Sequence, residues 1–129
     1  MSSDKVVERV VRVPTAGVLL DGDLAIPTTE RRGVVLFAHG SGSSRHSPRN
    51  RSVAGVLQQS GWATLLLDLL TPQEDQVDLR TRELRFDVAR LANRLTGAAD
   101  WLAQQSDTAQ LPLAVFGAST GAAAALITA

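Results

Sequence analysis

The sequence contains no cysteine, only two histidines and no long hydrophobic run. The absence of cysteine excludes disulfide bonds, thiolate metal sites and a cysteine nucleophile. Two histidines without the spacing of a zinc-binding helix do not indicate a metal site either. No segment approaches the roughly 18 consecutive apolar residues that cross a bilayer. The sequence therefore predicts neither a metal site nor a membrane span.

Net charge is also lacking, because thirteen lysines and arginines balance thirteen aspartates and glutamates. Such a chain has no positive field to hold it to nucleic acids or anionic lipids. Residues 1–5 run into alternating valines and charges rather than into the apolar core of a signal peptide. We therefore expect a cytoplasmic protein whose partner is a small molecule, and neither a nucleic acid nor a membrane.

Two kinds of strand are predicted within what we expect to be a single domain over residues 1–129. Residues 6–13 mix apolar and charged side chains, and a Pro-Thr-Ala-Gly turn separates them from a more apolar segment at residues 18–27. This pattern is typical of two antiparallel edge strands. Three continuous apolar runs are typical of parallel strands buried on both faces. They cover residues 33–38, 62–67 and 111–116.

Helices are predicted between these strands. Ser47 and Pro48 are typical of a helix start, and Gly61 of its end. The predicted apolar face of this helix comprises Val53, Val56 and Leu57. A longer amphipathic helix is predicted from apolar residues three and four positions apart, with Gly97 as a mild interruption. These residues are Leu84, Val88, Leu91, Leu95, Ala98 and Leu102.

The remaining segments complete the predicted fold. Residues 71–82 are polar and are predicted to form a loop, and residues 121–129 are predicted to form a helix of small apolar residues. Strands that alternate with helices indicate a parallel sheet with right-handed crossovers. The predicted fold class is α/β: a three-layer αβα sandwich with a mostly parallel sheet and an antiparallel N-terminal hairpin.

The segment Gly-Ala-Ser-Thr-Gly at residues 117–121 lies between the last predicted strand and the last predicted helix. A nucleophilic serine needs a tight turn that lifts its hydroxyl clear of the sheet, and Gly117 and Gly121 remove the collisions of such a turn. The amide of Thr120 then lies at a helix N-terminus, where developing negative charge is stabilised. Ser119 is the predicted catalytic nucleophile, and Thr120 is a predicted backbone donor to the oxyanion.

A second glycine-rich loop, His-Gly-Ser-Gly, follows the first buried strand. An acyl-transfer site needs another N–H donor from such a turn. The amide of Ser41 is the predicted donor, and that of Gly42 is the alternative. Gly40 and Gly42 also let the backbone come close to the substrate. His39 is interpreted as a structural residue of the pocket, because the base follows the nucleophile in this type of hydrolase.

Further polar residues accompany these loops. Asp68 ends the second buried strand, on the side of the sheet that faces ligands, and is interpreted as a structural pocket residue. Arg45 and His46 are candidate contacts for a carboxylate or phosphate on the substrate. Arg49 and Arg51 belong to the same basic cluster, for which a solvated helix end is the alternative interpretation.

In this order, the motifs resemble the dienelactone hydrolase-like branch of the α/β-hydrolases. The resemblance runs through the His-Gly-Ser-Gly-Ser-Ser loop, the Asp-Leu-Leu-Thr-Pro segment at residues 68–72 and the Gly-Ala-Ser-Thr-Gly turn. It implies a compact sheet with little cap, esterase or lactonase chemistry and no cofactor. The name-giving enzyme uses a cysteine nucleophile where this chain has Ser119, so the resemblance does not extend to the dienelactone substrate.

Two other function classes fit parts of the pattern. A strand, Gly40-x-Gly42, a helix and a strand ending at Asp68 imitate a dinucleotide-binding fold, but Arg45 stands where its third glycine belongs. The other alternative is a non-catalytic α/β-hydrolase-like fragment or interaction module.

The last ten residues contain no aspartate, glutamate or histidine. Because a serine hydrolase carries its acid and its histidine after the nucleophile, we expect a missing C-terminal segment or a partner chain to supply both. The chain is interpreted as a partial domain, truncated after the serine turn. The intact protein is predicted to cleave an ester or lactone through an acyl-Ser119 intermediate, and the 129-residue chain alone is predicted to be inactive.

Overall fold

The computed structural model describes residues 6–28, 31–38, 46–81 and 88–117. These residues contain five strands and three helices. In chain order they are β1 (Val6–Thr15), β2 (Val18–Pro27), β3 (Gly33–Ala38), α1 (Pro48–Gln59), β4 (Trp62–Leu67), α2 (Pro72–Thr81), α3 (Val88–Gln104) and β5 (Leu113–Gly117). Across the described ranges, every helix is too short or too polar to cross a membrane.

β1 and β2 form an antiparallel hairpin that closes with Thr15 opposite Val18. The two residues between them, Ala16 and Gly17, have φ values of 50° and 80°. Two consecutive positive φ angles are typical of a type I′ turn, whose twist suits a two-residue hairpin. The predicted antiparallel pair is confirmed, but the prediction that both are edge strands is wrong. β2 also pairs antiparallel with β4, so only β1 lies at that edge of the sheet.

The sheet has the strand order β1-β2-β4-β3-β5. β3 lies between β4 and β5 and is parallel to both. The three apolar runs are therefore neighbouring parallel strands, as predicted. Since β2 is antiparallel to both of its neighbours, β1 and β4, the sheet is mixed.

The two faces of the sheet pack against different helices, because successive strand side chains point to opposite faces. One face packs against α3 in the larger core, which includes Leu24, Leu36, Leu65, Leu67, Leu91, Leu95, Ala98 and Leu102. The other face packs against α1 in a smaller core of Val35, Phe37, Ala54 and Leu66, flanked by Val53, Leu57 and Trp62. The predicted three-layer α/β fold is confirmed.

Gly97 of α3 has a larger role than the mild interruption that the sequence predicts. A Cβ built on Gly97 would lie 1.7 Å from Oγ1 of Thr15. The Thr15 hydroxyl donates a 3.0 Å hydrogen bond to the carbonyl oxygen of Arg94, one turn earlier in the helix. The glycine thus lets the hairpin approach the helix backbone.

Two predicted helical segments cannot be compared in full. Leu84, the first residue of the predicted apolar stripe, lies outside the described residues, as do residues 121–129.

The predicted loop at residues 71–82 is wrong, because residues 72–81 form α2. The N–H of Glu74 donates to the Thr71 hydroxyl at 3.2 Å, and the N–H of Thr71 donates to Oε1 of Glu74 at 2.9 Å. This reciprocal pair is a capping box, which satisfies two N–H groups at the helix start. α2 has no wide apolar face, so its periodicity does not reveal it.

The predicted apolar face of α1 is wrong at Val56, which is 63% exposed. The buried positions of this helix are Asn50 and Ala54. Val53 and Leu57 flank the core as predicted. Positions 50, 54 and 57 repeat at the helical period, and Val56 falls beside that line. Pro48 occupies the first turn and Gly61 follows the helix end with a φ of 92°, as the sequence predicts.

Candidate functional site

The carboxyl ends of the three parallel strands lie side by side. Ala38, the last residue of β3, pairs with Leu67 of β4 on one side and with Gly117 of β5 on the other. Neighbouring strands are about 4.8 Å apart. The three strands therefore end at residues 38, 67 and 117 in adjacent positions at one end of the sheet. Ligands bind at the carboxyl ends of the strands in open α/β sheets.

Most of the predicted site residues follow these strand ends and lie outside the described residues. They are Ser119, Thr120 and Gly121 after β5, and His39, Gly40, Ser41, Gly42 and Arg45 after β3. Their roles stay predictions. Gly117, Asp68 and His46 are described. Gly117 ends β5 in register with Ala38, so the start of the predicted serine turn lies beside the start of the predicted oxyanion loop.

Asp68 links the parallel part of the sheet to the hairpin. Its N–H donates a 2.9 Å hydrogen bond to the carbonyl oxygen of Asp21 in β2. The bond extends the antiparallel pairing of β2 with β4 by one step beyond Leu67. It fixes the direction in which the chain leaves β4.

A buried ion pair that sequence analysis missed holds the segment after β4. Arg94 of α3 is 4% exposed. Its Nη1 and Nη2 donate to Oε1 and Oε2 of Glu74 at 2.6 and 2.7 Å, and Nη1 also donates to the Leu69 carbonyl oxygen at 2.8 Å. Among the described residues, its Nε has no hydrogen-bond partner. One guanidinium thus joins α3, the start of α2 and the residues that follow β4.

The same contacts control the charge of Glu74. The hydrogen bonds from Arg94 lower the pKa of the Glu74 carboxyl to about 2, assisted by the Thr71 N–H and opposed by partial burial. The carboxylate therefore stays ionised in weakly acidic solution.

A signal for Arg94 exists in the sequence, since it lies three residues after Leu91 and four before Ala98, within the apolar stripe. A charge at such a position indicates a buried partner.

The basic cluster at the start of α1 is only partly directed towards solvent. Arg51 forms an ion pair with Asp23 of β2, which anchors the first turn of α1 to the sheet. His46 and Arg49 are exposed. Ser47 stands at the N-cap position but its side chain makes no capping hydrogen bond. Arg51 is thus a structural residue, and the prediction of a substrate-anion contact stays with Arg45 and His46.

An open groove of about 940 Å³ lies at the end of the sheet where the parallel strands have their carboxyl ends. It lies between the β1–β2 turn and the start of α2, and its polar lining includes Arg12, Asp21 and Thr71. Arg12 and Asp21 are 3.6 Å apart and form a cross-strand ion pair. Because β2 itself lines the groove, one strand, β4, lies between the groove and β3.

No family model matches the sequence. Among solved structures, a dienelactone hydrolase from Anabaena variabilis ATCC 29413 is 58% identical with a TM-score of 0.92, over 97% of this chain and 57% of that chain. The predicted resemblance to dienelactone hydrolase-like α/β-hydrolases is confirmed. The chain spans little more than half the length of this dienelactone hydrolase-like relative.

More distant structures share the fold. An α/β-hydrolase, GrgF, from Penicillium sp. sh18 is 19% identical with a TM-score of 0.74, over 95% of this chain and 41% of that chain. A cold-adapted esterase from an Arctic intertidal metagenomic library is 17% identical with a TM-score of 0.71, over 96% of this chain and 55% of that chain. At these identities the likeness concerns the fold alone.

Two curated relatives carry a different name. Proteins of Mycobacterium tuberculosis strains CDC 1551 / Oshkosh and ATCC 25618 / H37Rv are 56% identical over 119 residues, and both are called "Putative phosphoribosyl transferase". The match covers 92% of this chain but 26% of each relative. The chain thus spans about a quarter of their length.

Proposed function

We propose that this chain carries the nucleophile and the oxyanion donors of a serine hydrolase that cleaves an ester or lactone. The observation that carries the proposal is the register of Ala38 with Gly117 at the carboxyl ends of neighbouring parallel strands. In this arrangement, the loop after β3 and the turn after β5 start about one strand spacing apart. The 58% identity with a dienelactone hydrolase supports a hydrolase function.

In the proposed reaction, the Ser119 hydroxyl attacks the carbonyl carbon of the substrate and its proton passes to a histidine. The carbonyl oxygen becomes an oxyanion that accepts hydrogen bonds from the amides of Ser41 and Thr120. The leaving alcohol takes the proton from the histidine as the acyl-Ser119 ester forms. Water, deprotonated by the same histidine, then attacks the acyl carbon, and the bond to the Ser119 oxygen breaks as the histidine returns the proton to that oxygen, which releases the acid. The histidine and its carboxylate come from residues outside this chain.

The strand order favours this proposal over a dinucleotide-binding domain. In the dinucleotide-binding order, the third parallel strand lies beyond the second. Here β5 lies on the other side of β3, and the antiparallel β2 occupies the place beyond β4. The name of the mycobacterial relatives does not favour phosphoribosyl transfer for this chain, because about three quarters of each relative lies outside the match.

Fluorophosphonate labelling of the longer protein that contains this chain tests the nucleophile. We expect one adduct, at Ser119, and its complete loss in Ser119→Ala. Ser41→Ala is the matched control, because it removes a hydroxyl but keeps the amide that binds the oxyanion, so labelling should persist. Ser41→Pro removes that amide and should slow labelling by on the order of 10² to 10³. An adduct at another residue, or none, contradicts the proposal.

A p-nitrophenyl ester assay tests the missing base. Without a positioned histidine, the 129-residue chain should turn over on the order of 10⁴ to 10⁶ times more slowly than the intact protein. Rapid turnover by this chain alone, abolished by Ser119→Ala, would show that a base is present within residues 1–129. Consumption of phosphoribosyl pyrophosphate by the same chain would instead support the transferase name.

A further inference from the structure

β1 is an edge strand with a regular pattern of outward backbone groups. The residues that flank a two-residue hairpin turn, here Thr15 and Val18, exchange both of their hydrogen bonds. Hydrogen-bonded pairs recur at every second residue, and the β1–β2 register has no bulge. The N–H and C=O groups of Glu8, Val10 and Arg12 therefore point away from β2. Among the described residues, no strand pairs with this side of β1, so it is open to another strand.

The side chains of these three residues share one face, opposite the α3 core. All three are exposed, and Val10 at 72% is the most exposed large hydrophobic side chain among the described residues. A negative charge lies two residues before Val10 and a positive charge lies two residues after it. The pattern is therefore complementary to itself when the strand direction is reversed.

We propose that two copies of this chain associate through an antiparallel β1–β1 pairing centred on Val10. In this register, Glu8 of each copy lies opposite Arg12 of the second copy, and the two Val10 side chains are in contact. Cross-strand pairs of opposite charge and of β-branched side chains stabilise such a ladder. The two-fold axis uses the same surface of both copies and produces a closed dimer.

Charge disfavours pairing that is centred on a charged residue of β1. Pairing centred on Glu8, Arg9 or Arg12 places like charges directly opposite each other, which destabilises the ladder. Pairing centred on Val11 places Arg12 opposite Val10 and forms no ion pair. Arg12 is 74% exposed beside Asp21, so its side chain can reach a carboxylate across the new ladder.

The interface is small, because one strand and its exposed face meet their equivalents. Interfaces below about 1,200 Å² are usually weak. We therefore expect a dimer that forms reversibly in concentrated solution. The proposal does not depend on the chemistry of Ser119.

Cross-linking tests the register directly, because the chain has no cysteine of its own. In an antiparallel hydrogen-bonded pair the Cα atoms are about 5.5 Å apart, within the range of a disulfide. Val10→Cys should therefore form a covalent dimer under mild oxidation. Val56→Cys is the matched control, since Val56 is also exposed but lies on α1. Equal cross-linking of both variants, or none at Val10→Cys, overturns the proposal.

Charge exchange gives a second test, by sedimentation equilibrium over a concentration series. Glu8→Arg and Arg12→Glu each place like charges opposite each other, and each should raise the apparent dimer dissociation constant about tenfold. Mixing the two variants places opposite charges together again and should restore dimers. A monomeric wild-type chain at every concentration, or a variant that dimerises like wild type, overturns the proposal. The cross-linking variants keep the wild-type charges and decide the matter if a charge-exchanged chain does not fold.

Discussion

α1 and α3 cover opposite faces of the same sheet, but they are held by different interactions. α3 buries a continuous stripe of side chains in the larger core and carries Arg94, which is almost fully buried. α1 buries Asn50 and Ala54, and its ion pair with the sheet is partly exposed, since the Arg51 side chain is 39% accessible. Each helix contains an arginine ion pair and a glycine, and the different burial of the two helices predicts different energetic roles for them.

The largest difference is expected between the two ion pairs. Glu74→Ala leaves the buried Arg94 guanidinium without its carboxylate and removes the capping box, so unfolding free energy should fall by about 3 kcal/mol or more. Asp23→Ala leaves Arg51 able to turn to water and should cost about 1 kcal/mol or less. Urea unfolding of both variants measures the difference. Equal losses would mean that the α1 pair is as desolvated as the α3 pair.

Acid should weaken the α3 pair over a defined pH range. The pKa of Glu74 is about 2 in the folded chain and 4.5 as its ordinary value. The contribution of the ionised Glu74 to the free energy of unfolding is fully present above pH 4.5 and is lost as the pH falls towards 2. The loss is at most about 3 kcal/mol, and smaller because part of the side chain stays accessible.

Urea unfolding at a series of pH values tests this assignment, with Glu74→Gln as the control because it removes the titrating group. The stability difference between wild type and Glu74→Gln should shrink below pH 4.5. A difference that stays constant down to pH 2 would show that another group carries the acid sensitivity.

The smallest expected effects concern the two helix glycines, and they differ in sign. Gly97→Ala forces a Cβ against Thr15 and should destabilise the chain by about 1–3 kcal/mol despite better helix propensity. A Cβ at Gly55 of α1 meets no atom within 4 Å, so Gly55→Ala should stabilise by up to about 1 kcal/mol. Thermal melts of the two variants check this, and a stabilised Gly97→Ala chain would contradict the close approach of the hairpin.

The sheet could be predicted because its signals are local. The three apolar runs and the positions of Pro48 and Gly61 depend on few distant residues, and these elements are as expected. α2 was missed because its side chains show little apolar periodicity, although Thr71-x-x-Glu74 is a recognisable capping box. The Arg94–Glu74 pair could not be found, since its acid stands in a segment interpreted as a loop.

For the candidate site, the motif can be recognised in the sequence, but the positions of the motifs relative to each other cannot. The motif at residues 117–121 indicates a nucleophile because glycine and serine spacing reflects the steric needs of one turn. The pairing of Ala38 with Gly117 depends on tertiary structure. It cannot be deduced from the serine motif or from the His-Gly-Ser-Gly motif. Likewise, the exposure of Val56 depends on the rotation of α1 about its own axis. The apolar pattern of one helix predicts which residues face the sheet only to within one position.

The position of β5 beside β3 has a consequence for the order in which the molecule assembles. Val34 pairs with Ala63 after one crossover, but its other partner, Leu113, lies far later in the chain. Closing that long loop costs entropy before the new contacts repay it. During synthesis, β1 to β4 can form a sheet while the ribosome still holds β5. The pairing of Ala38 with Gly117 is therefore completed last, and in a nascent chain the two predicted site motifs are not brought together until β5 has docked.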